Sequence, residues 1–326
     1  MDEMKNKKVL ITGGLGFIGS NLAHKCVELG AEVTIYDCLD PRSGGNMHNI
    51  HGIHDHVALI LNDIRNFEGL CACITKKDIV FNCAAYTSHP NSMKDPYVDI
   101  DVNCKGTINL LEAARRFNHD CRIVHVGTST QIGRMQLNPV DEKHPEFPAD
   151  IYSANKSVSE KYVLIYGNAY KMKNTVVRVA NVFGPRSSIK SPDLGFINYF
   201  IGLGFQGKDL PVYGQGGQLR NITYVDDCVE ALVLAAQDPR SAGEVFFAVA
   251  DRQFSIAEIA GEIAGNIGGK VKFIEWPRER EIIEIGDAVI TNRKIRETLN
   301  WAPRHGLAEG LVKTKAYFSQ CLNKYL

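Results

Sequence analysis

Hydrophobic residues in the first half of the chain form short β-branched runs that alternate with longer amphipathic segments. The short runs are typical of buried strands, and the longer segments have helical periodicity. Strands are predicted at 9–12, 32–36, 57–61, 79–82, 122–126 and 175–179, with long helices at 16–29, 99–117 and 152–170. This alternation of strand and helix predicts an α/β fold with a doubly wound parallel sheet.

The pattern changes beyond Pro185, where a glycine-rich region (202–217) precedes a predicted helix at 226–236 and a strand at 245–249. Ser255 and Glu258 have the spacing of a capping box at the start of a further helix. We therefore expect a first domain at 1–180 and a smaller, interleaved α/β domain at 181–326. Residues 222–250 are expected to pack back on the first domain.

Charge and composition argue against several classes of protein. The 326 residues include 37 basic and 37 acidic side chains, so the basic excess typical of nucleic-acid binding is absent. No apolar run reaches the roughly 18 residues of a membrane span. The charged first residues lead directly into a strand-like run without the apolar stretch of a secretion signal, which favours a cytoplasmic protein.

Neither the cysteines nor the histidines are spaced like metal ligands. The nine cysteines are scattered, and only Cys71 and Cys73 are close together, so we expect reduced thiols. His48, His51, His54 and His56 lie in a Gly/Asn-rich stretch that reads as a solvated loop. No metal site is predicted.

A glycine motif after the first strand points to a dinucleotide. Gly13 opens a turn that continues through Gly16 and Gly19 into the first helix, and Asp37 ends the second strand. This is the fingerprint of a Rossmann-type domain, in which the backbone approaches the pyrophosphate and the acid binds the ribose hydroxyls. Asp37 would repel a 2′-phosphate, which favours NAD over NADP, although Arg42 lies nearby.

A tyrosine and a lysine four residues apart begin the third long helix. This spacing places Tyr152 and Lys156 on one helical face. Thr128 follows the fifth strand, at the sheet edge where doubly wound folds bind ligands. An isolated Tyr/Lys pair is common by chance, but this context favours a catalytic group.

These motifs together resemble the extended short-chain dehydrogenases/reductases of the nucleotide-sugar epimerase/dehydratase group, nearly end to end. The resemblance implies catalysis by Thr128, Tyr152 and Lys156. It assigns to NAD binding, besides Tyr152 and Lys156, the residues Gly13, Gly16, Phe17, Ile18, Gly19, Asp37, Asp63, Ile64, Ala84, Ala85 and Asn103. It assigns to a nucleotide-diphosphate sugar the residues Ser88, Thr128, Asn181, Arg220 and Arg278.

The implied mechanism depends on the pKa of Tyr152. A phenol has an ordinary pKa of about 10, and a neighbouring Lys156 ammonium together with the nicotinamide is expected to lower it. The phenolate would then take a sugar hydroxyl proton while NAD accepts the hydride. Thr128 would hydrogen-bond the same oxygen, and Lys156 would also hold the nicotinamide ribose.

The residues after Thr128 bear on the reaction. Dehydratases of this group carry an Asp-Glu pair there and decarboxylases a Glu, whereas this chain has Ser129 and Thr130. Epimerisation, with C4 as the expected ring carbon, needs no such acid. Tyr86 and His89 depart from the usual residues near the sugar, which leaves room for 2-epimerisation or another sugar. An NAD(P)H-dependent keto-sugar reductase, a dehydratase and a non-catalytic NAD-binding protein remain alternatives.

The resemblance also implies a homodimer. Relatives of this group pair through the two long helices that follow the fourth and fifth strands. In this chain those helices are predicted at 99–117 and 152–170.

Overall fold

Seven parallel strands form the central sheet of the computed structural model, which describes residues 4–326. In spatial order they are Val245–Ala248 (β11), Lys173–Val179 (β6), Arg122–Thr128 (β5), Ile79–Asn82 (β4), Lys8–Thr12 (β1), Glu32–Asp37 (β2) and Val57–Leu61 (β3). The strand order reverses at β1, between β4 and β2, where doubly wound sheets bind ligands. The predicted fold class is confirmed.

Helices cover both faces of this sheet. Because successive strand side chains point to opposite faces, Leu10 and Ile11 of β1 enter two separate apolar cores. The first core includes residues of Phe17–Glu28 (α1) and Val225–Gln237 (α8). The second includes residues of Phe67–Ile74 (α2), Gly106–Phe117 (α5) and Ile151–Tyr170 (α6).

The helix predicted at 99–117 is not a continuous α-helix. Its segments are Pro96–Asp99 (α4), a π-helical stretch at Ile100–Lys105, and α5. Inside the π-helical stretch, the Asn103 side chain bonds the main chain of Tyr86, at 3.0 Å from the amide and 2.9 Å from the carbonyl. This long-range contact accompanies the irregular turn and leaves no trace in the hydrophobic pattern.

The edges of β5 and α6 carry the residues that matter for chemistry. Strand β5 extends two residues beyond its predicted end because Gly127 and Thr128 continue the ladder with Arg178 and Val179 of β6. Helix α6 begins one residue before its predicted start, and Asp150 caps it by accepting a 2.8 Å hydrogen bond from the Ser153 amide.

The second half of the chain builds three small two-stranded sheets. They pair Val182–Phe183 (β7) with Thr223–Tyr224 (β10), Asp209–Tyr213 (β8) with Lys270–Ile274 (β13), and Leu219–Asn221 (β9) with Gln253–Ser255 (β12). Besides α8, the helices of this region are Phe196–Phe205 (α7), Ile256–Asn266 (α9), Arg278–Glu281 (α10), Arg293–Leu299 (α11) and Leu307–Cys321 (α12). In the first half, His89–Lys94 (α3) follows β4. The capping box of α9 is confirmed in both of its hydrogen bonds.

Strand β11 belongs to the second half in sequence but pairs with β6 in the central sheet. The division into two domains at residue 180 stays a prediction. The first three residues of the first predicted domain lie outside the described part of the chain. Within residues 4–326, none of the helices combines the length and apolar character that a membrane crossing requires.

Candidate active site

The glycine turn after β1 is built for close approach of backbone to a ligand. Gly13 has φ +69°, and a Cβ atom on it would lie 2.7 Å from the Ala84 amide nitrogen. Helix α1 starts after Gly16 without a side-chain cap, so its first amide groups have no side-chain acceptor. A diphosphate fits such a helix start, which offers free N–H donors and a favourable dipole.

A cavity opens above the carboxyl ends of β1, β2 and β4. Most residues predicted to bind NAD line it: Gly13, Gly16, Phe17, Ile18, Gly19, Asp37, Asp63, Ile64, Ala84, Ala85 and Tyr152, together with Thr128. Asn103 and Lys156 are buried behind this wall and are not among the lining residues.

Asp37 is held in place by its own backbone surroundings. Its two carboxylate oxygens accept hydrogen bonds from the amides of Leu15 (2.9 Å) and Leu39 (2.7 Å). Burial raises the pKa of Asp37, and these two bonds oppose the rise. Arg42 is engaged elsewhere, in a bidentate pair with Asp40 at 3.1 and 2.8 Å. An acid at the cavity and an occupied arginine fit NAD better than NADP.

Two predicted ligand-binding residues have structural roles in this structure. Asn103 ties down the loop after β4 through Tyr86, as described above. Ser88 is buried and caps α3, its hydroxyl accepting from the Asn91 amide at 3.1 Å. Neither lines the cavity described above, whereas the residue after Ser88, His89, does.

Tyr152 lies at the start of α6 and faces Thr128 at the end of β5. Burial raises the pKa of the Tyr152 phenol well above its ordinary value, and a hydrogen bond with the Thr128 hydroxyl opposes the rise. The expected lowering by Lys156 is therefore not seen in the protein alone. Further positive charge beside the phenol would lower this pKa.

Lys156 is directed toward the sheet. Its Nζ donates to the Val126 carbonyl at 2.6 Å and lies 3.2 Å from His125 Nε2. Burial lowers the pKa of Lys156 from 10.5 to about 8. The Lys156 ammonium is therefore bound to the main chain of strand β5, which explains why it does not stabilise the Tyr152 phenolate here.

His125 extends this contact into a buried polar chain that the sequence did not reveal. His125 Nδ1 lies 3.0 Å from Asn82 Nδ2, and the Thr12 hydroxyl donates to Asn82 Oδ1 at 2.8 Å. Burial, and then the nearby Lys156 charge, lower the pKa of His125. The chain connects three neighbouring strands beneath the cavity and fixes Lys156 relative to the glycine turn.

A second cavity adjoins the first and is suited to a nucleoside diphosphate. The two share His89, Thr130, Asn181, Asp193 and Gly195. The second cavity also contains paired aromatic rings, Tyr213 and Trp276, whose centroids are 5.1 Å apart. Such rings can stack on a nucleobase.

The cations of this second cavity are Arg220 and Arg280. Arg220 donates to Glu284 at 2.7 Å, and Arg280 donates to Asp193 at 2.8 Å. The predicted Arg278 is exposed and does not line the cavity, because it occupies the outer side of the short helix α10 while Arg280 turns inward. Arg280 therefore replaces Arg278 as the candidate diphosphate ligand. The sequence alone does not show which side chains of such a short helix face the cavity.

Metal ligands do not cluster in the described part of the chain. Among residues 4–326, no group of three or more His, Cys, Asp or Glu side chains is arranged to hold a metal ion. The chemistry of the two cavities is instead that of glycine turns, hydroxyls, arginines and aromatic rings.

Comparison with known proteins agrees with this arrangement. The profile described as "NAD dependent epimerase/dehydratase family" matches residues 9–249. The chain belongs to this family. The glycine turn, Asp37 and the residues lining the first cavity fit the NAD on which family members depend.

Two curated relatives in this family carry different activities. The UDP-glucose 4-epimerase of Mycolicibacterium smegmatis is 32% identical over 321 residues, covering 95% of this chain and 98% of that protein. The UDP-N-acetyl-alpha-D-glucosaminuronate decarboxylase of Bacillus cytotoxicus is 30% identical over 334 residues, covering 97% and 99%. The chain is accordingly an enzyme-family member whose specific reaction these relatives leave open.

A solved structure from the same family is also similar. The UDP-glucose 4-epimerase of Thermotoga maritima, with UDP-glucose, has a TM-score of 0.87 and 26% identity, covering 97% of this chain and 99% of that one. The similarity includes both halves of the fold.

Proposed function

We propose that this protein is an NAD-dependent nucleotide-sugar epimerase that oxidises a sugar carbinol, at C4, to a transient ketone. One observation carries the proposal: Tyr152 and Thr128 lie in the NAD cavity beside its junction with the cavity that holds Arg220 and Arg280. A nucleoside-diphosphate sugar that fills the second cavity would place its sugar at that junction.

Each part of the site has a definite task in this reaction. Arg220 and Arg280 would leave their carboxylate partners to bind the diphosphate, since a guanidinium matches paired phosphate oxygens. Asn181, at the junction, would donate to the same ligand. Tyr152 would take the proton of the sugar hydroxyl and return it, while Thr128 holds that oxygen. NAD supplies the hydride acceptor and, on the return step, the donor.

The surroundings of Thr128 favour epimerisation over the reactions of other family members. Ser129 and Thr130 occupy the positions where dehydratases carry an acidic pair, so an acid is missing from that segment. A 4-epimerase needs only that the keto sugar present its other face. The cavities do contain acidic groups elsewhere, and one of them, Asp150, bears on the sugar as described below.

The direct test is a Tyr152→Phe variant assayed on a panel of nucleotide sugars by NMR. We expect bound NAD to be retained and turnover to fall by roughly 10²–10⁴-fold, the usual contribution of a positioned acid–base group. Tyr170→Phe, at the partly exposed end of the same helix, is the matched control. Full activity in Tyr152→Phe would overturn the assigned role.

A keto-sugar reductase is the main alternative to the epimerase, and one measurement distinguishes the two. An epimerase converts substrate without net change in added NADH or NADPH, because the hydride is returned. Steady oxidation of added cofactor, in step with product, would favour the reductase and contradict our proposal.

We also propose that two copies pair through α5 and α6 and their neighbours. Exposed apolar side chains on this side support the proposal: Met93, Tyr97, Ile100, Phe117, Val158 and Ile165. An Ile165→Lys variant should shift the mass measured by light scattering from dimer to monomer. A parent protein that is monomeric at micromolar concentration would contradict it.

A further inference from the structure

His89 lies where the two cavities meet, next to the proposed acid–base tyrosine. It is the first residue of α3, and its ring packs edge-on against Tyr152 with centroids 4.8 Å apart at 80°. Its side chain is 32% exposed, and it lines both cavities. Any sugar placed at the junction would touch this imidazole.

One ring nitrogen of His89 is already committed. Its Nδ1 lies 2.8 Å from Asp150 Oδ2, and no hydrogen bond of Nε2 is found within the described residues. A carboxylate partner favours the tautomer with the proton on Nδ1, which leaves Nε2 as a hydrogen-bond acceptor turned to the cavity. In this tautomer Nε2 can accept a hydrogen bond from a sugar hydroxyl.

Asp150 stays ionised behind the imidazole. Burial alone would raise the pKa of Asp150, but the hydrogen bond from His89, the positive charge that His89 can carry, and hydrogen bonds from the Ser153 amide and hydroxyl hold the pKa below its ordinary value. The Ser153 hydroxyl lies 3.0 Å from Asp150 Oδ2 and 2.9 Å from the Thr130 hydroxyl, which in turn lies 3.1 Å from the Thr128 hydroxyl. This chain of hydrogen bonds fixes the negative charge relative to the reacting position.

The lining of the second cavity has no spare cation for another negative group. Arg220 is paired with Glu284 and Arg280 with Asp193, and the proposed function already assigns both arginines to the diphosphate. Lys156 is bound to strand β5. A carboxylate on the sugar would therefore be repelled by Asp150, and neither arginine of this lining would be left to offset the repulsion.

We propose that His89, held by Asp150, is the residue that determines sugar specificity: Nε2 accepts a hydrogen bond from a sugar hydroxyl, and the Asp150 charge disfavours uronic acids. This inference rests on the proposed function and deepens it. The site would then prefer neutral sugars to uronic acids, which are the class of sugar in the name of the decarboxylase relative.

UDP-glucose and UDP-glucuronic acid are suitable probes because they differ only at C6. Calorimetry on the NAD-loaded protein should give at least 10-fold tighter binding of UDP-glucose. His89→Gln should weaken UDP-glucose binding by roughly 5- to 50-fold, the range for one hydrogen bond to a buried group. The same variant should bind UDP, which lacks the hexose, with unchanged affinity.

Asp150→Asn tests the charge separately. Asparagine also caps helices well, so α6 should keep its start. We expect the preference for UDP-glucose over UDP-glucuronic acid to narrow at least 5-fold. The exposed pair His119 and Asp120 offers matched controls, since His119→Gln and Asp120→Asn make the same changes away from both cavities.

The outcomes separate this inference from the proposed function. UDP binding without a preference for the neutral sugar, or unchanged sugar affinities in both variants, would overturn the role of His89 alone. Failure of the parent to bind UDP and both sugars would contradict the proposed function and the inference with it.

Discussion

At the scale of single residues, burial sets the chemistry of this site more strongly than the spacing of residues in the sequence does. The Tyr152–Lys156 spacing correctly placed both side chains on α6. It did not reveal that Lys156 bonds the Val126 carbonyl or that the Tyr152 pKa is raised by burial. A motif predicts which residues share a helical face, whereas pKa values depend on the strands packed against that face.

The buried Lys156 makes a prediction about stability. Its folded pKa of about 8 is below the ordinary 10.5, so between these values the unfolded chain binds a proton that the folded chain does not. The contribution of Lys156 to stability therefore rises with pH across this window. Lys156→Met should be inactive yet more stable at pH 7, by roughly 1–3 kcal/mol, because an apolar side chain avoids the burial of a charge.

Urea unfolding at pH 7 and pH 10 would check this expectation. The gain in Lys156→Met should shrink at the higher pH, whereas the exposed Lys190→Met control should show little change at either pH. A variant less stable than the parent at pH 7 would contradict the account, since it would mean that the bond to Val126 outweighs desolvation.

At the scale of elements, the strands and helices of the first half were predicted well because their periodicities are strong. Strand β4 and strand β3 have the bounds expected from sequence. The π-helical turn around Asn103, the inward turn of Arg280 and the cap at Ser88 were not predicted. The first two depend on contacts between separate segments, Asn103 with Tyr86 and Arg280 with Asp193, which a local pattern does not contain. The Ser88 cap is a local contact with the Asn91 amide, which was not recognised in the sequence.

The turn between β1 and α1 gives a prediction at this scale. Gly13→Ala combines a strained φ with a contact of 2.7 Å to the Ala84 backbone. We expect a loss of roughly 2–4 kcal/mol in unfolding free energy, together with loss of NAD binding.

Gly52→Ala is the matched control for backbone strain. Gly52 has φ +89° with nothing within 4 Å of an added Cβ, so it should lose only about 1 kcal/mol and keep NAD. Thermal unfolding and the NAD content of the purified proteins would measure both effects. Equal effects in the two variants would contradict the importance of the close packing of Gly13 against the Ala84 backbone.

A buried ion cluster joins β6 to α6 and supports the loop before it. Arg178 is 2% exposed and donates to Glu160 at 2.8 and 2.5 Å and to Glu146 at 2.6 Å. Removing one partner leaves a buried charge, so Glu160→Ala should cost about 3–5 kcal/mol. The exposed Glu68→Ala should cost little by comparison. A loss of unfolding free energy below about 1 kcal/mol in Glu160→Ala would contradict a stabilising role of this ion cluster.

At the scale of the whole molecule, two cavities share one edge, and the proposed reaction occupies that edge. The glycine turn and its paired acid made the first cavity predictable from sequence. The second cavity was predicted only through Arg220 and Asn181, because its aromatic rings come from β8 and from the segment after β13, which the fold alone brings together.

The most direct test of the central claim follows the hydride itself. Nucleotide sugars labelled with deuterium at C4 are incubated with the NAD-containing protein, and the products are identified by NMR and mass spectrometry. We predict a C4 epimer that retains the deuterium, with no net change in free cofactor. Loss of the label to added cofactor, or release of water or carbon dioxide from the sugar, would contradict the proposed epimerase.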